Sequence, residues 1–144
     1  MLNIVEYNQN LESELKAFKS LAWADADREH YGDILPDFRK EYITLVAKDE
    51  GDIVGYIYLI YDAGVVLLDS LLVHPERKGQ GVGTQLLLTA EEQIKTKGAH
   101  RIWLETGSTW KARKFYEKHG YIVRSILADY YDHREFVVME KFLQ

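Results

Sequence analysis

The chain has 144 residues, with 18 lysine and arginine residues, 23 aspartate and glutamate residues and a formal net charge of −5 at neutral pH. This length fits a single domain, residues 1–144, whose core needs no metal or disulfide to hold it together. The acidic balance argues against a nucleic-acid-binding protein, which usually carries a basic face. Because there is no cysteine, disulfides, thiolate metal sites and a covalent cysteine intermediate are excluded.

No segment predicts export or membrane insertion. The N-terminus lacks a basic region followed by an apolar run, so no signal peptide is expected. The longest apolar stretch, residues 56–73, is interrupted by Asp62, Gly64 and Asp69 and is therefore too broken to span a membrane. A cytoplasmic protein without a membrane partner is expected.

The first part of the chain predicts a strand, a helix and an acidic segment. Residues 2–7 alternate as a strand does, and Asn8 or Asn10 is placed to cap a following helix. The apolar face of that helix comprises Leu11, Leu15, Phe18, Leu21 and Ala22. From residue 25 to residue 41 the helical pattern loosens and the chain becomes acidic.

The middle of the chain predicts three antiparallel strands and a helix. Residues 43–47 and 53–61 flank a turn at 49–52, which is a hairpin signal. A second turn at 62–64 leads into residues 65–73, which are rich in β-branched and apolar residues and predict a buried central strand. Helical spacing then recurs at Leu86, Leu87, Ala90 and Ile94, and Gly98 is a natural C-terminal stop.

The last part predicts a strand over 101–105, a helix over 111–118 and two closing strands over 121–127 and 135–142. The complete order predicts a mixed α/β fold, with a mostly antiparallel central sheet of about seven strands flanked by helices. A doubly wound parallel sheet is not expected.

The strongest chemical signal is a glycine-rich turn between the central strand and the helix that follows it. Glycines at alternate positions allow the backbone to approach an anion closely, and the first amides of a helix are unpaired and lie at the positive end of its dipole. The turn therefore predicts a diphosphate cradle, with Arg77 and Lys78 as adjacent charges. The cradle comprises Lys78, Gly79, Gln80, Gly81, Val82, Gly83 and Thr84.

Three other interpretations of this turn differ in how well they fit the sequence. A glycine-rich loop without a ligand is compatible with the turn alone. A dinucleotide-binding fingerprint needs one more residue before its last glycine and a position early in a parallel unit. A phosphate-binding P-loop needs a lysine after its last glycine, where Thr84 follows Gly83.

The sequence resembles the GNAT superfamily of N-acetyltransferases in two separate blocks. In the first, Val73, Pro75, Gly81 and Gly83 match the family pattern, and Lys78 stands where arginine or glutamine is usual. The second block covers residues 109–121, and residues 138–143 look like the final strand of the family. Lys78 keeps the positive charge without the planar fork of arginine, and Thr109 replaces a common asparagine.

The resemblance implies acetyl-CoA as the acyl donor and a splay between the central strand and residues 102–105. The pantetheine arm would pair with the strand edge at Leu71, Leu72 and Val73, with Thr109 and Ala112 as further contacts. A free amide near Leu72 or Val73 would serve the oxyanion. The alternative is that these three strand residues are plain core.

By the same resemblance, Tyr116 is the candidate acid that protonates the leaving sulfur, although it could simply pack between helix and sheet. Asp69 is the first candidate base, because a carboxylate in an apolar strand is costly unless paired or functional. Strict alternation would place it on the face of Leu67, Leu71 and Val73. Asp69 could instead make a structural hydrogen bond. In that case the base would be Glu105, or the amine would lose its proton through a water chain.

The acceptor is expected to be a primary amine on a small molecule or a peptide. Residues 25–41 fall where the family builds its acceptor pocket, and the loop 129–132 could line it too. The basic residues Lys111, Arg113, Lys114 and Lys118 could meet the 3′-phosphate of coenzyme A or be a solvated surface. No metal site is expected from the five histidines. A homodimer is possible, and a non-catalytic coenzyme A sensor is the competing function.

Overall fold

The computed structural model describes residues 1–144, which form two compact units, Met1–Asp37 and Phe38–Gln144. In the first unit, Asn8 accepts a hydrogen bond from the amide of Asn10 at 3.0 Å, so it caps a 3-10 turn, whereas the helix that follows has no side-chain cap of its own. The cap begins a short 3-10 turn, Gln9–Leu11, and the helix α1 follows over Glu12–Tyr31. The single-domain expectation for residues 1–144 stays a prediction.

Two predictions for the first unit are wrong. Residues 2–7 form no strand, and their side chains are exposed, because an alternating segment becomes a strand only where another strand accepts its backbone groups. The helix α1 does not loosen after Ala22 but continues to Tyr31. The helix extends to Tyr31 because this part of the chain contains alanine, glutamate and arginine, which favour helical backbone even without an apolar stripe.

The second unit contains one sheet of six strands in the order β1-β2-β3-β4-β6-β5. The strands are β1 (Glu41–Asp49), β2 (Asp52–Asp62), β3 (Val65–Val73), β4 (Arg101–Gly107), β5 (Ile122–Leu127) and β6 (Phe136–Phe142), with helices α2 (Val82–Thr96) and α3 (Lys111–Lys118). All neighbours are antiparallel except β3 and β4. The expected fold class is confirmed, with six strands instead of about seven, because residues 2–7 do not join the sheet.

Two tight hairpin turns set the register of the first three strands. Glu50 and Gly51 have φ of 49° and 95°, and Ala63 and Gly64 have φ of 48° and 85°. Two consecutive residues with positive φ define the turn whose twist matches that of paired strands. Both hairpins predicted from the sequence are therefore confirmed.

The core lies between the sheet and the helices α2 and α3. Ile57, Leu59, Leu87, Ile94 and Ile102 are each 0% exposed, and each buried side chain of this size contributes about 1.5–3 kcal/mol. No helix combines the length and apolar character needed to cross a bilayer.

Gly55 on β2 allows the start of α2 to approach the sheet. A Cβ atom there would lie 3.0 Å from the carbonyl oxygen of Leu72, 3.0 Å from Leu86 and 3.1 Å from Val82. These distances are shorter than ordinary contacts, so any side chain at Gly55 would push the helix outward. The close approach places the first turn of α2 next to the last residues of β3.

Candidate active site

The strands β3 and β4 separate after only three paired positions, Val65–Leu67 with Arg101–Trp103. Beyond them β3 continues to Val73 and β4 to Gly107 without pairing to each other. The gap between these strand ends is the splay that the resemblance implied. Because of this gap, backbone groups of β3 that would be hydrogen-bonded in a continuous sheet have no partner on β4.

The free backbone groups on the gap side of β3 belong to Leu71 and Val73. The amide of His74 donates to the carbonyl of Val54 on β2 at 2.8 Å. Hydrogen bonds alternate along an antiparallel ladder, so Leu72 also points its backbone toward β2. Leu71 and Val73 therefore direct their amides and carbonyls into the gap.

The glycine-rich turn ends at the N-terminus of α2. Gly79 and Gly81 have φ of 74° and 85°, a region that residues with a Cβ rarely adopt. No side chain caps the helix, and the amide of Gln85 makes the first intrahelical bond, to the carbonyl of Gly81 at 3.0 Å. The amides of Val82, Gly83 and Thr84 remain available, which is the arrangement that binds anions.

The two cations of the turn have different surroundings. Arg77 pairs with Asp49 at the end of β1 and donates from Nε to Oε1 of Gln80 at 3.2 Å. Gln80 in turn donates to the carbonyl of Glu76 at 3.1 Å. Arg77 and Gln80 therefore brace the turn, and Lys78, which has no ion-pair partner, is the free charge.

One cavity joins the gap, the turn and the helix α3. Its volume is about 360 Å³, and it is lined by Leu71, Leu72, Val73, Lys78, Gly83, Lys111, Ala112, Phe115 and Tyr116. The predicted site residues that do not line it are Asp69, Gly79, Gln80, Gly81, Val82, Thr84 and Thr109. Phe115 was missed from the sequence, although it directly precedes Tyr116 in the second family block. Lys111 also lines the cavity, whereas the sequence predicts for it only a place on a basic helix face.

Tyr116 is buried at the wall of this cavity. Its side chain is 7% exposed, and its ring makes edge contacts with Phe115 and Tyr121, with centroids 5.2 and 5.4 Å apart. The hydroxyl has no hydrogen-bond partner within the protein. Burial raises the pKa of Tyr116 to about 12, because the apolar surroundings disfavour the phenolate, so the phenol keeps its proton at neutral pH.

Asp69 occupies a bulge in β3. The ladder passes from the pair Leu59 and Leu68 to the pair Tyr58 and Ser70, leaving Asp69 without an opposite residue. Its side chain is exposed and accepts a hydrogen bond from the Ser70 hydroxyl at 2.7 Å. The bulge interrupts strict alternation, so the shared face expected for Asp69 and Leu71 does not extend across it, and Leu71 packs against the core.

Glu105 lies on the part of β4 that pairs with β6 but not with β3, and Tyr130 donates a hydrogen bond to its Oε1 at 3.2 Å. Leu104 beside it is 1% exposed and belongs to the core under the helices. Because neighbouring strand residues point to opposite faces, Glu105 lies on the sheet face away from α2 and α3. The pKa of Tyr130 is raised to about 12. The largest cause is hydrogen bonding with Tyr131, followed by desolvation and by the hydrogen bond to Glu105.

The remaining predicted contacts lie around α3. Thr109 is exposed two residues before the helix. Arg113 pairs with Glu117 at 3.0 Å and donates to the carbonyl of Ser108 at 3.2 Å. Lys111 lines the cavity, so it is the basic residue of this helix best placed to meet a bound anion.

Comparison with known proteins agrees with this architecture. The sequence model of the acetyltransferase (GNAT) family matches residues 8–121. A crystal structure of an acetyltransferase from Bacillus cereus superimposes with a TM-score of 0.77 and 26% identity, covering 98% of each chain.

Two curated relatives cover shorter parts of the chain. An uncharacterized N-acetyltransferase of Methanocaldococcus jannaschii is 38% identical over 96 residues, which are 65% of this chain and 62% of that protein. The ribosomal protein bS18 alanine N-acetyltransferase of Haemophilus influenzae is 28% identical over 101 residues, 70% of this chain and 69% of that protein.

The chain therefore belongs to the acetyltransferase (GNAT) family. The resemblance stated from the sequence is confirmed, and with it the acyltransferase class of enzyme.

Proposed function

We propose that this protein transfers an acetyl group from acetyl-CoA to a primary amine, by direct attack while both substrates are bound. The observation that carries the proposal is one cavity lined by Lys78, by Gly83 at the start of α2 and by Tyr116. A diphosphate site and a proton donor in one cavity match the two ends of a coenzyme A thioester.

The residues of the turn fit such a donor. The available amides of Val82, Gly83 and Thr84 and the unpaired Lys78 suit a diphosphate. The free backbone edge at Leu71 and Val73 suits an extended arm that carries amides, which would pair as an additional strand does. Bound acetyl-CoA would supply the acyl group and, once that group has left, a thiolate.

The side chains of the protein would then manage charge and protons. The amide of Val73 or Leu71 would donate to the negative charge that develops on the acyl oxygen. Tyr116 would hold its proton until a thiolate forms and then donate it from the phenol oxygen. As the nitrogen–carbon bond forms and the carbon–sulfur bond breaks, the amine loses its proton to Asp69, to Glu105 or to water.

Two sheet faces would receive the two substrates. The cavity lies on the face of α2 and α3, whereas Glu105 lies on the opposite face, and the gap between β3 and β4 connects them. An amine approaching past Glu105 would reach the acyl group through this gap. The Haemophilus relative is named for an alanine of a ribosomal protein, so peptide amines belong among the candidate acceptors.

The test is thiol release from acetyl-CoA with a panel of small amines, peptides with free N-termini or lysines, and aminoglycosides. Amine-dependent release that is reduced in Tyr116→Phe would support the proposal. Acetyl-CoA binding without release for any amine would instead favour a sensor. To separate the candidate bases, Asp69→Asn and Glu105→Gln are compared by pH–rate profile; the variant that loses the acidic limb identifies the base, and two unchanged profiles would indicate water.

A further inference from the structure

Four aromatic rings form a continuous cluster where β4 ends and β6 begins. Trp110 and Phe136 have ring centroids 5.1 Å apart, Tyr131 and Phe136 5.2 Å, and Tyr130 and Tyr131 4.4 Å. Phe136 is buried, whereas Tyr131 and Trp110 are 60% and 51% exposed. The cluster therefore presents aromatic surface to solvent on a buried base.

The loop that carries the two tyrosines is held in a strained conformation. Asp129, Asp132 and His133 have φ of 50°, 51° and 56°, which is unfavourable for residues with a Cβ. The loop is closed by backbone hydrogen bonds, from Tyr130 to the carbonyl of Arg134 at 2.9 Å and from Arg134 to that of Tyr131 at 3.1 Å. Strain of this kind persists where the surrounding structure maintains it, commonly at binding sites.

The cluster is connected to the proposed site at two points. Tyr130 donates to Glu105, the carboxylate on the part of β4 that is not paired with β3. Trp110 directly precedes α3, whose residues Lys111 and Ala112 line the cavity. The ring of Trp110 also covers Gly107, where a Cβ atom would lie 2.5 Å from it.

We propose that the aromatic cluster (Trp110, Tyr130, Tyr131 and Phe136) and Glu105 together select the acceptor. The favoured class is a primary amine whose ammonium group is attached to an apolar or planar body. This inference rests on the proposed function and specifies its acceptor. Glu105, with Oε1 held by Tyr130, takes the ammonium group through its other oxygen, and the rings cover the apolar body.

Charge and surface both favour this class over a polyhydroxylated polycation. An ammonium group gains from a carboxylate and from a nearby ring face, and burying apolar surface against the rings adds to affinity. A hydroxyl-rich acceptor would lose water at the rings without gaining an equivalent hydrogen bond. Phenethylamine carries an ammonium group on an apolar, planar body, and ethanolamine carries the same group on a polar body. Comparing them isolates the contribution of the rings to acceptor selection.

The experiment compares kcat/KM for phenethylamine and ethanolamine at saturating acetyl-CoA. The wild-type protein should prefer phenethylamine by about tenfold or more. Tyr131→Ala should remove most of this preference by lowering only the phenethylamine value. Tyr130→Phe keeps the ring but frees Glu105, so it should lower both values and keep their ratio. Phe142→Ala, an exposed ring at the far end of β6, is the matched control and should change neither.

Equal kcat/KM for the two amines in the wild-type protein would overturn the inference, as would an unchanged preference in Tyr131→Ala. Calorimetric binding of the two amines in the presence of coenzyme A gives a readout that does not depend on turnover. No thiol release with any amine would instead overturn the proposed function, and this inference with it. Thermal melts of each variant show whether a loss reflects unfolding.

Discussion

Two neighbouring tyrosines provide a test that distinguishes the proposed catalytic role of one from the structural role of the other. Tyr116 and Tyr121 are both buried, at 7% and 2% exposure, and their rings touch. The hydroxyl of Tyr121 donates to Oε1 of the buried Glu91 at 2.9 Å, whereas that of Tyr116 has no partner in the protein and lies at the cavity. Replacing each tyrosine with phenylalanine removes one oxygen and keeps the ring.

The structure predicts opposite consequences for the two changes. In Tyr121→Phe, Oε2 of Glu91 keeps its ion pair with Nζ of Lys141 at 2.7 Å. Oε1 of Glu91 loses the hydrogen bond from the Tyr121 hydroxyl and has no other donor. An unsatisfied buried acceptor costs about 1–3 kcal/mol, which for a chain of this size lowers Tm by roughly 3–10 °C. Tyr116→Phe breaks no hydrogen bond, so the free energy of unfolding should change by less than about 1 kcal/mol. Loss of the general acid should lower kcat by about 10²–10⁴-fold.

The assays are urea unfolding monitored by tryptophan fluorescence and initial rates of thiol release. Tyr116→Phe should retain the KM for acetyl-CoA and the wild-type unfolding midpoint while losing turnover; Tyr121→Phe should lose stability and keep most of its turnover. If Tyr116→Phe retains full turnover, the phenol is not the acid and Tyr116 only packs. If Tyr121→Phe is as stable as wild type, the hydrogen bond to Glu91 contributes nothing net.

Three further predictions concern charge, packing and pH. Lys78→Ala should raise the KM for acetyl-CoA about tenfold with little change in kcat, and Arg77→Ala should have a smaller effect because Arg77 is engaged with Asp49; equal effects would contradict the assignment. Gly107→Ala should destabilise the fold by about 1–3 kcal/mol in a urea titration, since its Cβ would lie 2.5 Å from the Trp110 ring; an unchanged midpoint would mean that the ring moves freely. Because the pKa of Tyr116 is raised to about 12 from 10.0, the native state keeps a proton that the unfolded chain loses. The free energy of unfolding should therefore fall as the pH rises from 10 to 12, and the fall should be smaller in Tyr116→Phe.

Local features of the fold were predictable because they depend on neighbours in the chain. Residues with positive φ must close a two-residue hairpin, so Glu50 with Gly51 and Ala63 with Gly64 mark their turns without reference to the rest of the molecule. Gly98 ends the helix α2 for a similar reason, because it accepts a φ of 98°. The two family blocks also stand close to their own helices, α2 and α3.

Features that depend on distant partners were not predictable in this way. Residues 2–7 alternate as a strand does, but a strand also needs a partner strand, and none pairs with these residues. The bulge at Asp69 arises from the register with β2, which alternation along one strand cannot reveal. The pairing of Arg77 with Asp49, 28 positions apart, decides that Lys78 is the free charge of the turn.

The sequence by itself determined the class of fold and the conformation of the glycine-rich turn, and it marked Tyr116 as a candidate, since each of these depends on a short segment of the chain. Only the tertiary structure decided what surrounds them: the partnerless hydroxyl of Tyr116, and the aromatic cluster beside Glu105. The physical reason is that burial, ring contacts and ion pairs are made between segments far apart in the chain. Their geometry follows from how the strands and helices pack, which no single segment specifies.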